Sequence, residues 1–130
     1  MIVQMTIAEF KKILPKICGK DTSSDPGGWT KENMFWGQGA VVSLLAQSLF
    51  QGEILGVNLK DTKFADLKLH FWNQLPDDTE KDFTRSQFGK KFPKGLIVEM
   101  VSVRLLLEGK KRLQRLKLLQ ERFEQECKKN

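Results

Sequence analysis

The chain has 130 residues, a net charge of +6, 40% hydrophobic residues and 29% charged residues. This composition is typical of a folded globular domain and excludes a disordered chain. No stretch approaches the roughly 18 apolar residues of a membrane span, and the first five residues lack the features of a signal peptide. We therefore expect a single cytoplasmic domain over residues 1–130, in which Cys18 and Cys127 are reduced.

The first predicted element is a short amphipathic helix that begins after Thr6. Thr6 and Glu9 have the spacing of a capping box, in which each side chain bonds the other residue's backbone N–H. Ile7, Phe10, Ile13 and Leu14 recur at helical spacing and predict the buried face. Pro15 is expected to end or bend this helix.

The central predicted helix covers residues 38–50 and contains no charged residue. A helix that is apolar on nearly all sides belongs in the middle of a domain. Gly52 follows it and favours a left-handed cap. The residue at its N-terminal end is Gly39, which lies where the positive end of a helix dipole stabilises an anion or a thiolate.

Three strands are expected after this helix, over residues 53–59, 67–75 and 80–84, with a hairpin turn at 76–79. One helical turn over residues 84–88 is expected to end at Gly89. The predicted fold is α+β, with the central helix packed on a small three-stranded antiparallel sheet. The core is expected over residues 28–92.

The chain beyond Pro93 is predicted to be helical, with C-terminal helices over residues 95–128. Gly109 is expected to divide or kink this segment. Its apolar positions share one predicted face: Val98, Val101, Leu105, Leu113, Leu116, Leu119 and Phe123.

The C-terminal segment carries most of the positive charge. Residues 104–130 contain nine Lys and Arg against four Asp and Glu. A solvated helix face is the simpler interpretation, and charge alone does not favour nucleic acid. An alternative function is an interaction module that binds a protein or a polyanion through residues 99–128. We expect a monomer or a weak homodimer, the latter through the stripe around Leu116 and Leu119.

The only histidine, His70, falls on the second predicted strand, and Asp82 falls on the third. An antiparallel pair that turns at 76–79 brings these two residues close to each other, as a base held by a carboxylate requires. A helix N-terminus, a strand histidine and a carboxylate on the next strand form the arrangement of a papain-like thiol hydrolase. A structural histidine among aromatic residues is the competing interpretation.

Four segments carry a resemblance to a known family. They are Gly37-Gln38-Gly39-Ala40-Val41-Val42-Ser43-Leu44-Leu45, Gly52-Glu53-Ile54-Leu55, His70-Phe71-Trp72-Asn73-Gln74-Leu75 and Asp82-Phe83-Thr84-Arg85-Ser86-Gln87-Phe88. In this order they resemble the small bacterial YunG-like family, over about residues 28–123 and including the helix from Ser102 to Leu106. The family pattern in turn resembles the papain-like and transglutaminase-like cysteine fold.

The resemblance implies a cysteine hydrolase or acyltransferase scaffold. It puts the family's cysteine on Gly39, its histidine on His70 and its acid on Asp82. It also puts Gln38 beside an oxyanion site and makes Asn73 a secondary polar support. Two tryptophans, Trp36 and Trp72, are expected to line the cleft, which would take a small molecule or a peptide, with no cofactor and no metal.

Gly39 departs from the family pattern, because glycine has no thiol to ionise. The chain is then a natural pseudoenzyme, a variant of an active enzyme, or a protein in which glycine merely allows a tight helix entry. Ser43, one turn further along the helix, is the remaining hydroxyl that could replace the thiol. The sequence predicts an inactive scaffold.

Overall fold

The computed structural model describes residues 4–129. Its helices are α1 (Ile7–Ile17), α2 (Gly39–Phe50), α3 (Val103–Glu108) and α4 (Lys110–Lys128), and its strands are β1 (Glu53–Asn58), β2 (Leu69–Gln74), β3 (Glu80–Lys81) and β4 (Glu99–Val101). The predicted mixture of helices with one antiparallel sheet is confirmed. No helix within the described range combines the length and apolar character needed to cross a bilayer.

The sheet has four strands in the order β3-β2-β1-β4, whereas the sequence predicts three. β4 lies at residues predicted to be helical and pairs with β1, with Val101 opposite Ile54. This prediction is wrong because residues 99–101 cover the open edge of β1 and bond its backbone groups. Ser102 alone separates β4 from α3, and its hydroxyl caps the helix by accepting from the Leu105 backbone N–H at 3.2 Å.

β3 is shorter than predicted and ends at Lys81. The chain turns away there because the Asp82 carboxylate accepts a hydrogen bond from the Thr84 backbone N–H at 3.1 Å, a local bond that competes with strand pairing. The predicted helical turn follows as a 3-10 turn, Arg85–Phe88, and ends at Gly89. The turn carries Asp82 out of the strand and leaves its carboxylate at the end of the sheet.

α1 begins with the predicted capping box, because Thr6 and Glu9 each bond the other's backbone N–H. The expectation that Pro15 ends or bends the helix is wrong for its end, since α1 continues to Ile17. Proline lacks only its own N–H, so one helical hydrogen bond is lost near the last turn. Burial of Ile17 in the core holds that turn in place.

α2 is the centre of the first of two hydrophobic clusters, as predicted. α1 and α4 pack on it, and the cluster includes Phe10, Leu14, Ile17, Val41, Val42, Leu44, Leu45, Ala46, Ile54, Phe71, Leu116, Leu119 and Phe123. Leu116, Leu119 and Phe123, on the apolar face of α4, therefore lie inside this chain's own core. Gly109 separates α3 from α4, which confirms the predicted interruption.

The second cluster covers the other face of the sheet and contains Leu55, Val57, Leu59, Phe64, Leu67, Trp72 and Phe88. Successive residues of a strand point to opposite faces, which explains why Phe71 belongs to the first cluster and Trp72 to the second. His70 pairs with Val57 across the β1–β2 ladder. Its ring is therefore packed with the second cluster, close to the N-terminal end of α2.

Candidate functional site

His70 and Asp82, the two residues predicted to act together, are in contact. The His70 Nε2 atom lies 2.7 Å from the Asp82 Oδ2 atom. His70 is 2% exposed, and the Asp82 side chain is 9% exposed. The pair is therefore an imidazole whose orientation is fixed by a largely buried carboxylate, which is the arrangement that a positioned general base requires.

The other ring nitrogen of His70 faces Gly39. A Cβ atom built on Gly39 would lie 2.9 Å from the His70 Nδ1 atom and 3.4 Å from the Phe71 backbone nitrogen. The imidazole thus lies against the bare backbone at the first residue of α2. Any side chain at position 39 would face Nδ1 directly, and the ring would have to withdraw by a few tenths of an ångström to admit it.

Aromatic rings hold the imidazole on its remaining sides. Phe88 contacts it edge-on with ring centres 4.7 Å apart, and Trp72 stacks on it at 5.7 Å. Phe92 lies 5.8 Å away. This packing covers the sides of the ring that face away from Gly39, while the bond to Asp82 sets its rotation.

Asp82 is held by more than the histidine. The Arg85 Nε–H donates to Asp82 Oδ2 at 2.8 Å, and the Thr84 backbone N–H donates to Oδ1. Burial by itself raises the pKa of the Asp82 carboxyl, but hydrogen bonds and charge from His70 and Arg85 outweigh it and hold this pKa below its ordinary value. The carboxylate therefore stays ionised, as a group that orients an imidazole must.

Gln38, predicted beside the oxyanion site, is fully buried and its amide is committed elsewhere. Its Oε1 atom accepts from the Thr22 hydroxyl at 2.8 Å, and its Nε2–H donates to the Gly19 carbonyl at 2.8 Å. Asn73, the predicted polar support, donates through Nδ2 to the Ser43 carbonyl at 3.0 Å. Gln38 thus ties the entry of α2 to the segment after α1, and Asn73 ties α2 to β2.

The two tryptophans predicted to line a cleft do not line the cavity beside Gly39. Trp36 packs near Phe64 with ring centres 6.3 Å apart, and its Nε1–H donates to Asp25. Trp72 donates through Nε1 to Glu80 at 2.8 Å and stacks on His70. Trp72 therefore packs on the imidazole, whereas Trp36 packs against the second cluster.

A cavity of about 220 Å³ opens beside Gly39 and His70. Its lining consists of Ser24, Gly37, Gly39, Ala40, Asp66, Leu67, Lys68, Leu69, His70, Phe71, Gln87, Arg112 and Arg115. Other cavities on the surface are larger, but they lie away from the histidine and carboxylate. The cavity beside Gly39 is the one that joins a helix N-terminus to a positioned imidazole.

Gln87 is a site residue that the sequence did not single out. Its Oε1 atom accepts from the Gly37 backbone N–H at 3.0 Å, and its Nε2–H donates to the Thr84 carbonyl and hydroxyl. It therefore connects the entry of α2 to the turn that carries Asp82. The signal was its place in the segment 82–88, where it resembles the family pattern.

Arg112 and Arg115 were also not predicted as site residues, because the sequence indicates only that the C-terminal helix is basic. They lie three residues apart on one side of the helix and both line the cavity. The first donates through Nη1 to the Leu106 carbonyl at 3.0 Å. The Nε atom of Arg115 is buried and has no hydrogen-bond partner among the described residues.

The natural cysteines lie away from the site. Burial raises the pKa of the Cys18 thiol to about 12, and burial followed by nearby glutamates also raises the pKa of Cys127. Ser43 is buried within α2 and does not line the cavity. Within residues 4–129, no group of three or more His, Cys, Asp or Glu side chains is placed to hold a metal ion.

The fold and the site describe an α+β protein with a buried histidine–carboxylate pair at the N-terminus of its central helix. The model of the YunG protein family matches residues 6–128. The chain belongs to the YunG family. No match was found among curated proteins or among solved structures.

Proposed function

We propose that this chain has the scaffold of a papain-like or transglutaminase-like cysteine hydrolase or acyltransferase, and that it lacks the nucleophile because position 39 is glycine. The observation that carries the proposal is the placement of one imidazole between two partners. His70 Nε2 lies 2.7 Å from Asp82, and Nδ1 faces the place of a side chain at position 39. The chain is then a pseudoenzyme whose cleft binds a ligand.

Each group has a defined role in a version that carries a thiol. The His70 Nδ1 atom would take the thiol proton, and Asp82 would stabilise the resulting imidazolium. The thiolate would attack an acyl carbonyl, and backbone N–H groups of the first turn of α2 would donate to the oxyanion. In the described chain no backbone carbonyl accepts from the N–H groups of Gly39, Ala40 or Val41.

The proposal is tested by restoring the thiol. The substitution Gly39→Cys is expected to give a burst of about one p-nitrophenolate per chain from p-nitrophenyl acetate, as the thiolate forms a thioester and p-nitrophenolate leaves. Water, deprotonated by His70, would then release acetate slowly. Rapid-mixing absorbance measurements record the burst.

The matched controls are the native chain and Gly39→Ala, which adds the same Cβ atom without sulfur. Both are expected to give no burst. The free energy of unfolding of Gly39→Ala, compared with that of the native chain, also measures the cost of displacing the His70 ring. A folded Gly39→Cys protein that shows no burst, or one whose burst survives His70→Gln unchanged, contradicts the proposed scaffold.

A further inference from the structure

Most of the charged side chains around the cavity beside Gly39 are positive. Among the charged side chains that line it, Asp66 is negative while Lys68, Arg112 and Arg115 are positive. The N-terminal end of α2 opens into the same space, and the backbone N–H groups of Gly39, Ala40 and Val41 have no carbonyl partner in the described chain. A helix N-terminus of this kind stabilises negative charge.

A second observation points independently to a ligand. His70 is 2% exposed, and its Nδ1 atom has no hydrogen-bond partner within the part of the chain that the structure describes, although the ring lines the cavity. Nδ1 therefore faces the cavity without a partner among the described residues, so a ligand or water is free to bond it. When the ring is protonated, Nδ1 becomes a donor directed at the same space.

Arg115 gives a third observation. Its Nε atom is buried and has no partner in residues 4–129, and no carboxylate in that range forms an ion pair with Arg115 or Arg112. Arg122, on the same helix, is by contrast paired with Asp21 at the surface. Burial, followed by the charge of Arg112, lowers the pKa of Arg115, so a nearby anion would relieve both effects.

We propose that this cavity binds a small oxyanion, the carboxylate or phosphate group of a ligand, between the first turn of α2, His70 and Arg115. The volume of about 220 Å³ suits one such group with a short attachment. Arginine recognises both kinds of oxyanion because its planar donors match their oxygens. This proposal rests on the proposed function, because it names the class of ligand that the same cleft binds.

The test is a titration of the native, isotope-labelled chain with inorganic phosphate and, separately, with acetate, at constant ionic strength. Saturable chemical-shift changes are expected at the Gly39 and Ala40 amides and at Arg115 Nε. Saturation by phosphate alone identifies a phosphate ligand, and saturation by acetate alone identifies a carboxylate ligand. Changes that stay linear for both anions overturn the proposal.

Variants locate the binding. Arg115→Gln is expected to weaken the saturable binding by about tenfold or more, whereas Arg104→Gln removes the same charge from a side chain that is 87% exposed and should leave it unchanged. Arg115→Lys, which keeps the charge but loses the Nε–H, should give an intermediate loss. Equal binding in the native chain and in a folded Arg115→Gln or Arg115→Lys protein overturns the assignment to Arg115.

The two proposals can fail separately. Anion binding is measured in the native chain, without any thiol, whereas the acyl burst requires Gly39→Cys. Saturable anion binding without a burst would support the oxyanion site and contradict the hydrolase scaffold. A burst without saturable anion binding would support the hydrolase scaffold and contradict the oxyanion site.

Discussion

A thiol introduced by Gly39→Cys is expected to react with iodoacetamide at neutral pH roughly a thousandfold faster than Cys18. The helix N-terminus and His70 both favour the thiolate, and cysteines in such places have pKa values of about 3.5–7.5. The Cys18 pKa of about 12 leaves it almost entirely protonated. The stronger intrinsic nucleophilicity of a high-pKa thiolate recovers only part of that difference.

Mass spectrometry of peptides from one alkylation time course gives the rate at each cysteine in the same sample. Cys127 serves as an internal reference, because it is more accessible than Cys18 and its pKa is also raised. Adding His70→Gln to Gly39→Cys should slow the reaction at position 39 by about tenfold, since the base is lost. A thiol at position 39 that reacts no faster than Cys127 contradicts the assigned geometry.

The second large effect is on stability. Phe10→Ala is expected to reduce the free energy of unfolding by about 3–5 kcal/mol, because it empties a fully buried site. The Phe10 ring meets Phe50, Phe83 and Phe123 with ring centres 5.4, 5.0 and 6.0 Å apart. These contacts join α1 to the end of α2, to α4 and to the residue next to Asp82.

Urea denaturation followed by tryptophan fluorescence measures this change. Leu105→Ala is the control, because Leu105 is 60% exposed and should change the free energy of unfolding by no more than about 0.5 kcal/mol. A loss below about 1 kcal/mol for Phe10→Ala would show that α1 is not part of the core that supports the site.

Local sequence signals predicted the elements whose causes are local. The Thr6 and Glu9 capping box, the uncharged α2 and the glycine between α3 and α4 each depend on residues close together in the chain. β4 could not be predicted in the same way, since its strand conformation depends on pairing with β1, about 45 residues earlier. Pro15 was misread because the burial of Ile17 is a tertiary effect.

The site shows the same division. The hairpin turn at 76–79 was enough to predict that His70 lies near Asp82, although Asp82 lies just beyond a strand that is shorter than predicted. Arg115 gave no signal of this kind, because its role depends on α4 folding back over the N-terminal end of α2. Polar residues that complete a site from distant segments can be identified only from the folded structure.

The position of the proton on the His70 ring can be measured directly in the native chain. Nitrogen NMR of the single histidine, recorded on the neutral ring, reports which ring nitrogen carries the proton. The hydrogen bond at one nitrogen fixes the state of the other. We expect a proton on His70 Nε2, held by Asp82, and a bare Nδ1 directed at Gly39. A proton on Nδ1 would contradict it, because that nitrogen could not then act as a base toward position 39.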